Sequence, residues 1–238
     1  MGKGVRDLSL SDQLPDCNIY INKSIYNLEE IVKNKYVVDI GCGFAPNKTL
    51  VESCGGRWVG VEPYSSTEGI VKAEAQSLPF EDNVFDIAIM DAVLEHIPEV
   101  EKAFSETSRV LKKGGVFIGY VAFMECFHEI SYSHLSFKAL EYYANNNKMK
   151  LEKLSGGSAF GIDYHLSVLF YPIPFKFMRK ILAFLIRFLI KVKSKFAILG
   201  VILLKKETLR NAIKLADLYY KLECLRQSNG FTFIIRKL

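Results

Sequence analysis

The sequence predicts a doubly wound, mostly parallel α/β sheet with a helical insert before its last strand. Three observations predict it. Short apolar runs alternate with helix-length stretches from Lys35 to Val121, a glycine turn follows the first run, and an acid-free basic segment interrupts the pattern before a final apolar run.

The runs "KYVVDI", "RWVGVE", "FDIAIM" and "GGVFIGYV" are short, rich in Val and Ile, and bounded by Gly or acidic turns, as buried strands are. Between the last two, Val100, Ala103, Phe104, Val110 and Leu111 fall at helical spacing, with Gly114 as the expected stop. Upstream, "NKSIYNLEEIVKN" reads as a leading helix. Downstream, "SFKALEYYANNNKMKLEKL" reads as a helix capped by Ser136 and then a strand. The final "GFTFIIRKL" alternates Phe231, Phe233 and Ile235 against Thr232, Ile234 and Arg236, which predicts an edge strand. There is no internal repeat and no low-complexity linker. The expectation is one domain over 1–238, its core at about 24–160 and 229–238, with an insert of two or three helices at about 164–228.

Half of the 238 residues are apolar, which excludes a disordered chain. Five scattered cysteines (Cys17, Cys42, Cys54, Cys126, Cys224) form no C-x-x-C pair, against a zinc site or disulfide framework and in keeping with a reducing cytosol. The opening "MGKGVRDLSL" has no apolar core, and Arg6 stands where N-acylation wants Ser or Thr, so neither export nor acylation is expected. The net charge of +5 is unevenly placed. Nine of the 31 Lys/Arg lie between Tyr164 and Lys206, where there is no Asp or Glu, leaving 22 basic against all 26 acidic residues elsewhere. A mildly acidic domain thus carries one basic, apolar insert.

In "YVVDIGCGFAP", Gly41 and Gly43 suit a strand–turn–helix unit in which backbone approaches a ligand. A dinucleotide fingerprint needs a third glycine, and Pro46 stands there, so that reading fails. No G-K-[ST] arrangement offers a phosphate lysine. Taken alone, the turn is equally an ordinary strand–helix connection. Glu62, closing "VGVEP", is placed to accept both hydroxyls of a ribose, or is simply a solvated strand-end acid.

The following run, "AEAQSLPFEDNVFDIAIMDAVLEHIPEVEKAFSETSRVLKKGG", closely resembles class I S-adenosylmethionine (SAM) methyltransferases of the ubiquinone/menaquinone-methylase-like group. A-x-x-LPF, F-D at a strand, L-E-H, a proline and R-V-L-K-x-G-G occur in that order. The resemblance covers about Tyr36 to Val121 and implies a seven-stranded Rossmann-like sheet whose leading helix covers the cofactor. It further implies SAM as cofactor, S-adenosylhomocysteine (SAH) as product and no metal. Asp39, Gly41, Cys42 and Gly43 would form the turn beside the methionine part, and Glu62 would hold the ribose. Pro63 and Tyr64 would lie against the adenine, Glu74 would accept from its amino group beside the Ala75 backbone, and Asp91 and Ala92 would end the fourth strand at the ligand edge. Two positions depart from the family pattern: Ala45, where many members have Gly, a mild loss of room, and Glu74 for Asp, a longer reach.

Methyl transfer needs mainly an in-line approach, plus a base if the acceptor is a hydroxyl. His96, in "LEHI", is read as structural. His128 and His134, in "ECFHEISYSHLSF" after the fifth strand, are the candidate acceptor contacts or base, their alternative being solvated or capping histidines. Glu125, Tyr132 and His165 are weaker candidates. Cys42 and Cys54 make no thiol cluster of the kind used on arsenic.

In the insert, Lys176, Lys180, Arg187 and Lys191 share one helical face, and Phe177, Ile181, Phe184, Leu185 and Phe188 largely occupy another. Its uncharged runs are too short to cross a bilayer. Residues 173–206 therefore fit either an anionic membrane surface or a cap or homodimer face; nucleic acid is not expected. The expected function is SAM-dependent methylation of a small-molecule, sugar or lipid-linked glycan acceptor, with oxygen the preferred atom. Nitrogen or carbon acceptors, and a non-catalytic SAM-fold scaffold, remain open. The expected location is the cytoplasm, with peripheral contact at the inner membrane face left open.

Overall fold

Alternating strands and helices do wind a parallel sheet with an apolar layer on each face. The computed structural model describes residues 15–21, 24–124, 130–156, 176–205, 208–226 and 228–238. In chain order these hold β1 (Asn18–Tyr20), α1 (Leu28–Val32), β2 (Tyr36–Ile40), α2 (Lys48–Ser53), β3 (Arg57–Val61), β4 (Ile70–Val71) and β5 (Phe85–Asp91). A 3-10 turn (Leu94–His96) leads to α3 (Val100–Val110), β6 (Leu111–Ala122), α4 (Phe137–Asn146) and β7 (Met149–Ser155). Two helices, α5 (Lys176–Lys205) and α6 (Leu209–Arg226), precede β8 (Gly230–Lys237). The sheet order is β1-β7-β8-β6-β5-β2-β3-β4, with β8 antiparallel to both neighbours and every other pair parallel.

Burial on both faces explains the near-continuous apolar strands. Val38, Ile40, Ala88, Met90 and Phe117 face one layer with Ala103 and Phe104 of α3. Val37, Ile87, Ile89 and Ile118 face the other with Val32 of α1 and Val51 of α2. Phe104 meets Phe117 edge-on at 5.6 Å, and Phe117 meets Phe233 at 4.9 Å, which ties α3 across β6 to β8. Arg109 at the end of α3 pairs with Glu106 (2.7 Å) and Asp82 (2.8 Å) and donates to the carbonyls of Leu78 (2.9 Å) and Phe80 (2.7 Å). It thereby straps the "LPFED" segment beneath the helix, which accounts for the two motifs occurring together.

Four expectations need correction. The last strand is central rather than at an edge: Phe231, Phe233 and Ile235 enter one layer and Ile234 the other. Thr232 and Arg236 had suggested a wetted face, but Arg236 makes a two-pronged pair with Glu152 (2.6 and 3.0 Å) and donates to the Gly114 carbonyl. The sheet has eight strands, because Asn18–Tyr20 adds to β7, upstream of the expected core boundary. The leading helix is confined to Leu28–Val32, since the Asn27 side chain caps it by accepting from Glu29 N. Finally, α3 stops at Val110; Leu111 already pairs with Phe85, and Gly114 (φ +76°) lies in the irregular stretch before Val116 pairs with Ile87. Ser136 caps α4 as expected, accepting from Ala139 N.

The insert forms a hairpin of two helices. Lys193 on α5 reaches Glu223 on α6 (3.7 Å) and lies over the Tyr219 ring at 5.5 Å. Leu222 and Leu225 of α6 join the main core. The Ser228 hydroxyl donates to the carbonyls of Gly156 and Gly230, and the Asn229 carbonyl accepts from Phe123 N (2.6 Å) and Met124 N (2.8 Å). The hairpin is thus rooted at the sheet edge where the parallel strands end.

Candidate functional site

Ligands of open α/β sheets bind beyond the carboxyl ends of the strands, where strand order reverses. Here β2 is flanked by β3 on one side and β5 on the other, and the predicted cofactor residues Asp39, Gly41, Cys42, Gly43, Glu62, Asp91 and Ala92 lie at the ends of these three strands.

The turn after β2 is held by Gly41 N (2.8 Å) and Cys42 N (3.1 Å), both donating to the Val61 carbonyl of β3. Gly41 has φ +71° and could not carry a side chain: a Cβ would stand 2.5 Å from a methyl of Val93, which follows the turn after β5. This close approach locks the turn after β2 to the turn after β5. Ala45 has φ +59°, so what distinguishes it from glycine is backbone conformation, in addition to the expected room. Ala45→Gly is expected to stabilise the fold by about 1 kcal/mol. A urea midpoint that rises at unchanged slope would show this; an unchanged or lower midpoint would show that the turn is not strained.

The carboxylate of Glu62 reaches back across the mouth of this turn, accepting from Gly43 N at 3.1 Å and from Tyr64 N at 3.5 Å. Tyr64 and Phe44 present exposed rings on either side. Asp39 is buried, and its Oδ2 accepts from the Trp58 indole and the Asn47 amide, both at 3.2 Å. Burial raises its pKa, those two hydrogen bonds oppose the rise, and the charge of Asp91 adds to it. Asp91 keeps one side open to solvent, yet the water displaced around it raises its pKa as well. Burial and the charges of Asp39 and Glu62 push the Cys42 thiol to about 11, and burial with the charge of Asp91 pushes Tyr26 to about 12. No lysine or arginine is among the causes of these four shifts.

The mouth therefore gathers Asp39, Asp91 and Glu62, and among the described residues no lysine or arginine pairs with any of the three. A raised carboxyl contributes stability below the ordinary carboxylate range, and that contribution is lost as pH rises through the raised pKa. Above it, Asp39 and Asp91 sit ionised at a cost to the fold, which a bound cation would offset. SAM carries a sulfonium and an ammonium against one carboxylate, so its charge suits the mouth; a phosphate ligand would be repelled.

Glu74 is exposed and Ala75 is buried beside it, while Gln76 has a buried side-chain oxygen with no hydrogen-bond partner among the described residues. Such an orphaned acceptor suits an amino donor of the kind adenine offers. Pro63 is half-buried at the end of β3. Cys42 contributes backbone to the turn, and its sulfur packs near Gly60 rather than into the mouth.

On the acceptor side, the chain at 130–135 folds onto the 3-10 turn that follows Asp91. Tyr132 N (2.8 Å) and Ser133 N (3.4 Å) donate to the Glu95 carbonyl, and His96 Nδ1 lies 2.9 Å from the Ile130 carbonyl. His96 thus ties the 3-10 turn to the 130–135 segment. Leu135 is buried in the core and anchors the segment. His134 Nε2 lies 3.2 Å from the Ser131 hydroxyl, and its Nδ1 is buried with no hydrogen-bond partner among the described residues. Tyr132 is exposed. His128, Glu125 and His165 lie outside the described residues. Among the described residues no cluster of three or more His, Cys, Asp or Glu could hold a metal ion.

The residues that sequence reasoning missed are Tyr26, Asn47, Trp58 and Gln76. Trp58 is the one tryptophan in the chain, on a predicted strand, but only the pairing of Val37 with Trp58 sets its indole by Asp39. Tyr26 lies in the leading segment, where a cover for the cofactor was expected but no particular residue was indicated.

A mostly parallel sheet with one antiparallel strand inserted between two of the parallel ones, a glycine turn after the central β2 and a carboxylate at the tip of the next strand define the class I methyltransferase architecture. The comparisons agree with that architecture: residues 38–119 match the family described as "Methyltransferase domain". The chain is 35% identical over 107 residues to sterol 4-C-methyltransferase strm-1 of Caenorhabditis elegans, covering 38% of this chain and 32% of that protein. It is 48% identical over 48 residues to the ubiquinone/menaquinone biosynthesis C-methyltransferase UbiE of Brucella canis, covering 20% and 18%. The matched segment thus spans a third or less of either protein. A putative sarcosine dimethylglycine methyltransferase from Galdieria sulphuraria has the same fold, with a TM-score of 0.51 at 15% identity, covering 88% of this chain and 80% of that one.

Proposed function

We propose that the protein is a methyltransferase that moves the methyl group of SAM onto a small-molecule, sugar or lipid-linked glycan acceptor, with oxygen the first choice of atom. The observation that carries this reading is the convergence of Asp39, Asp91 and Glu62, which wants a cation and contains the one carboxylate placed for a diol. When bound, SAM supplies a methyl already activated by its sulfonium. The chain's own part is to bind and to orient. Glu62 accepts the ribose hydroxyls, the Gly41–Gly43 backbone borders the methionine part, and Asp39 and Asp91 answer its positive charge. Pro63, Tyr64, Glu74 and Ala75 border the adenine.

A hydroxyl acceptor must lose its proton as the new bond forms. His134, with a buried ring nitrogen left without a hydrogen-bond partner among the described residues, is the described residue suited to take it; His128 is the other candidate. A carbon acceptor is the second reading, favoured because the two relatives are named as C-methyltransferases.

Calorimetric titration with SAM and SAH tests the cofactor reading. Both are expected to bind at neutral pH, SAM the more tightly for its extra charge; failure of both sinks the proposal. Because bound SAM favours the ionised forms of Asp39 and Asp91, its binding is expected to release protons where these raised carboxyls titrate and to tighten as pH rises through that range. Titrations in buffers of different ionisation enthalpy read that release directly. Proton uptake, or affinity that falls with rising pH, would contradict the charge argument. Replacing His134 with Ala should then depress methyl transfer to a hydroxyl acceptor but leave SAM affinity intact; equal turnover would remove His134 as the base.

A further inference from the structure

We infer that the outer face of α5 is a docking surface for an anionic lipid bilayer. The helix has 30 residues, about 45 Å, and packs against α6 along one side. A surface helix ordinarily turns only its polar face to water, and this one also turns a broad apolar arc to it. Phe177, Ile181, Phe184, Leu185, Phe188 and Leu189 fall on one outward arc and are between 42% and 72% exposed. Phe184 and Phe188 stack in line along it, their ring centres 6.5 Å apart.

The lysines give the arc its partner. Lys180, Lys191 and Lys195 are exposed and lie along one margin of the arc, and no ion pair holds any of the three among the described residues. Lys193, by contrast, is turned to Glu223 and Tyr219 of α6. No acid occurs from Tyr164 to Lys206. Large apolar side chains beside an unneutralised row of lysines match the acyl boundary and the headgroups of an anionic leaflet. Among the described residues no helix is long and apolar enough to cross a membrane, so α5 would lie flat. A second copy is the poorer occupant: a two-fold axis through this face would set the lysine margin against itself, with no acid on α5 to answer it.

The hairpin is rooted at Ser228–Gly230, and Gly230 pairs with Ala122 at the carboxyl end of β6. A docked α5 thus ties the lipid surface to the sheet edge that carries the candidate site. The inference rests on α5 alone and stands whether or not the chain methylates anything.

The test is sedimentation of the full chain with vesicles of phosphatidylcholine containing one-third phosphatidylglycerol. Binding is expected at low salt and should fall at high salt and on vesicles of phosphatidylcholine alone. Replacing Lys180, Lys191 and Lys195 together with Gln should weaken binding about a hundredfold, at roughly fivefold per lysine. Phe184→Ser with Phe188→Ser should abolish it at unchanged helical circular dichroism. No binding of the parent chain at low salt overturns the inference, as does binding that ignores the lysines. So does a dimer in analytical ultracentrifugation that the Phe184/Phe188 variant dissolves while vesicles stay unbound, which would give the face to a second copy.

Discussion

Glu62→Ala is expected to weaken SAM binding about 100-fold or more, the worth of two hydrogen bonds to a charged acceptor at about 1.5 kcal/mol or more each. The carboxylate is half-exposed and already held toward the glycine turn by Gly43 N and Tyr64 N, so it needs little reorganisation to meet a diol. Its removal costs the apo fold little, because both amides can turn to water. Calorimetry and thermal melting on the same samples separate the two effects. Affinity that stays at the parent's level would show that Glu62 does not hold the ribose, and a collapse of the melting temperature would make it a structural residue instead.

The second large effect is expected at Gly119→Ala. Gly119 lies in β6 beside Met90 of β5, and an added Cβ would stand 1.7 Å from the Met90 carbonyl oxygen. Backbone cannot yield as a flexible side chain does, so β5 and β6 must part, at a cost of about 3 kcal/mol or more. Met90 directly precedes Asp91, so the displacement also disturbs the acids at the mouth. A lower denaturation midpoint together with weakened SAM binding is the expected pair of results. A variant as stable as the parent would mean that the two strands are further apart than described.

These two residues differ in how far the sequence announced them. Glu62 was legible because strand, glycine turn, second strand and acid follow one another within about thirty positions, and local spacing encodes that order. The motif "LPF … R-V-L" was legible in the same way, and Arg109 supplies its physical content by bonding to the Leu78 and Phe80 carbonyls. Gly119 was not legible as a contact, because nothing in "GGVFIGYV" says which backbone lies against it. The same blindness placed β8 at an edge. Its Thr232 and Arg236 look solvated in one dimension, and only the pairing with both β6 and β7 shows that Ile234 is covered. The acceptor side was the least legible, since the Val121–Ser136 loop has no periodicity. That Tyr132 and Ser133 hang from the Glu95 carbonyl is a long-range fact.

By itself the sequence determined the class of fold, the glycine turn after the first core strand and the carboxylate that closes the next, because each is written in hydrophobic period and short spacing. It also determined that the insert is basic, apolar and acid-free. The tertiary structure alone decided that Asp39, Asp91 and Glu62 converge with no ion-pairing lysine or arginine among the described residues, that Trp58 and Asn47 hold Asp39, and that the Phe/Leu arc of α5 faces outward instead of into the core. The physical reason is the same in each case: charge repulsion, desolvation and burial depend on what lies nearby in space, and strands that meet in the sheet come from distant parts of the chain.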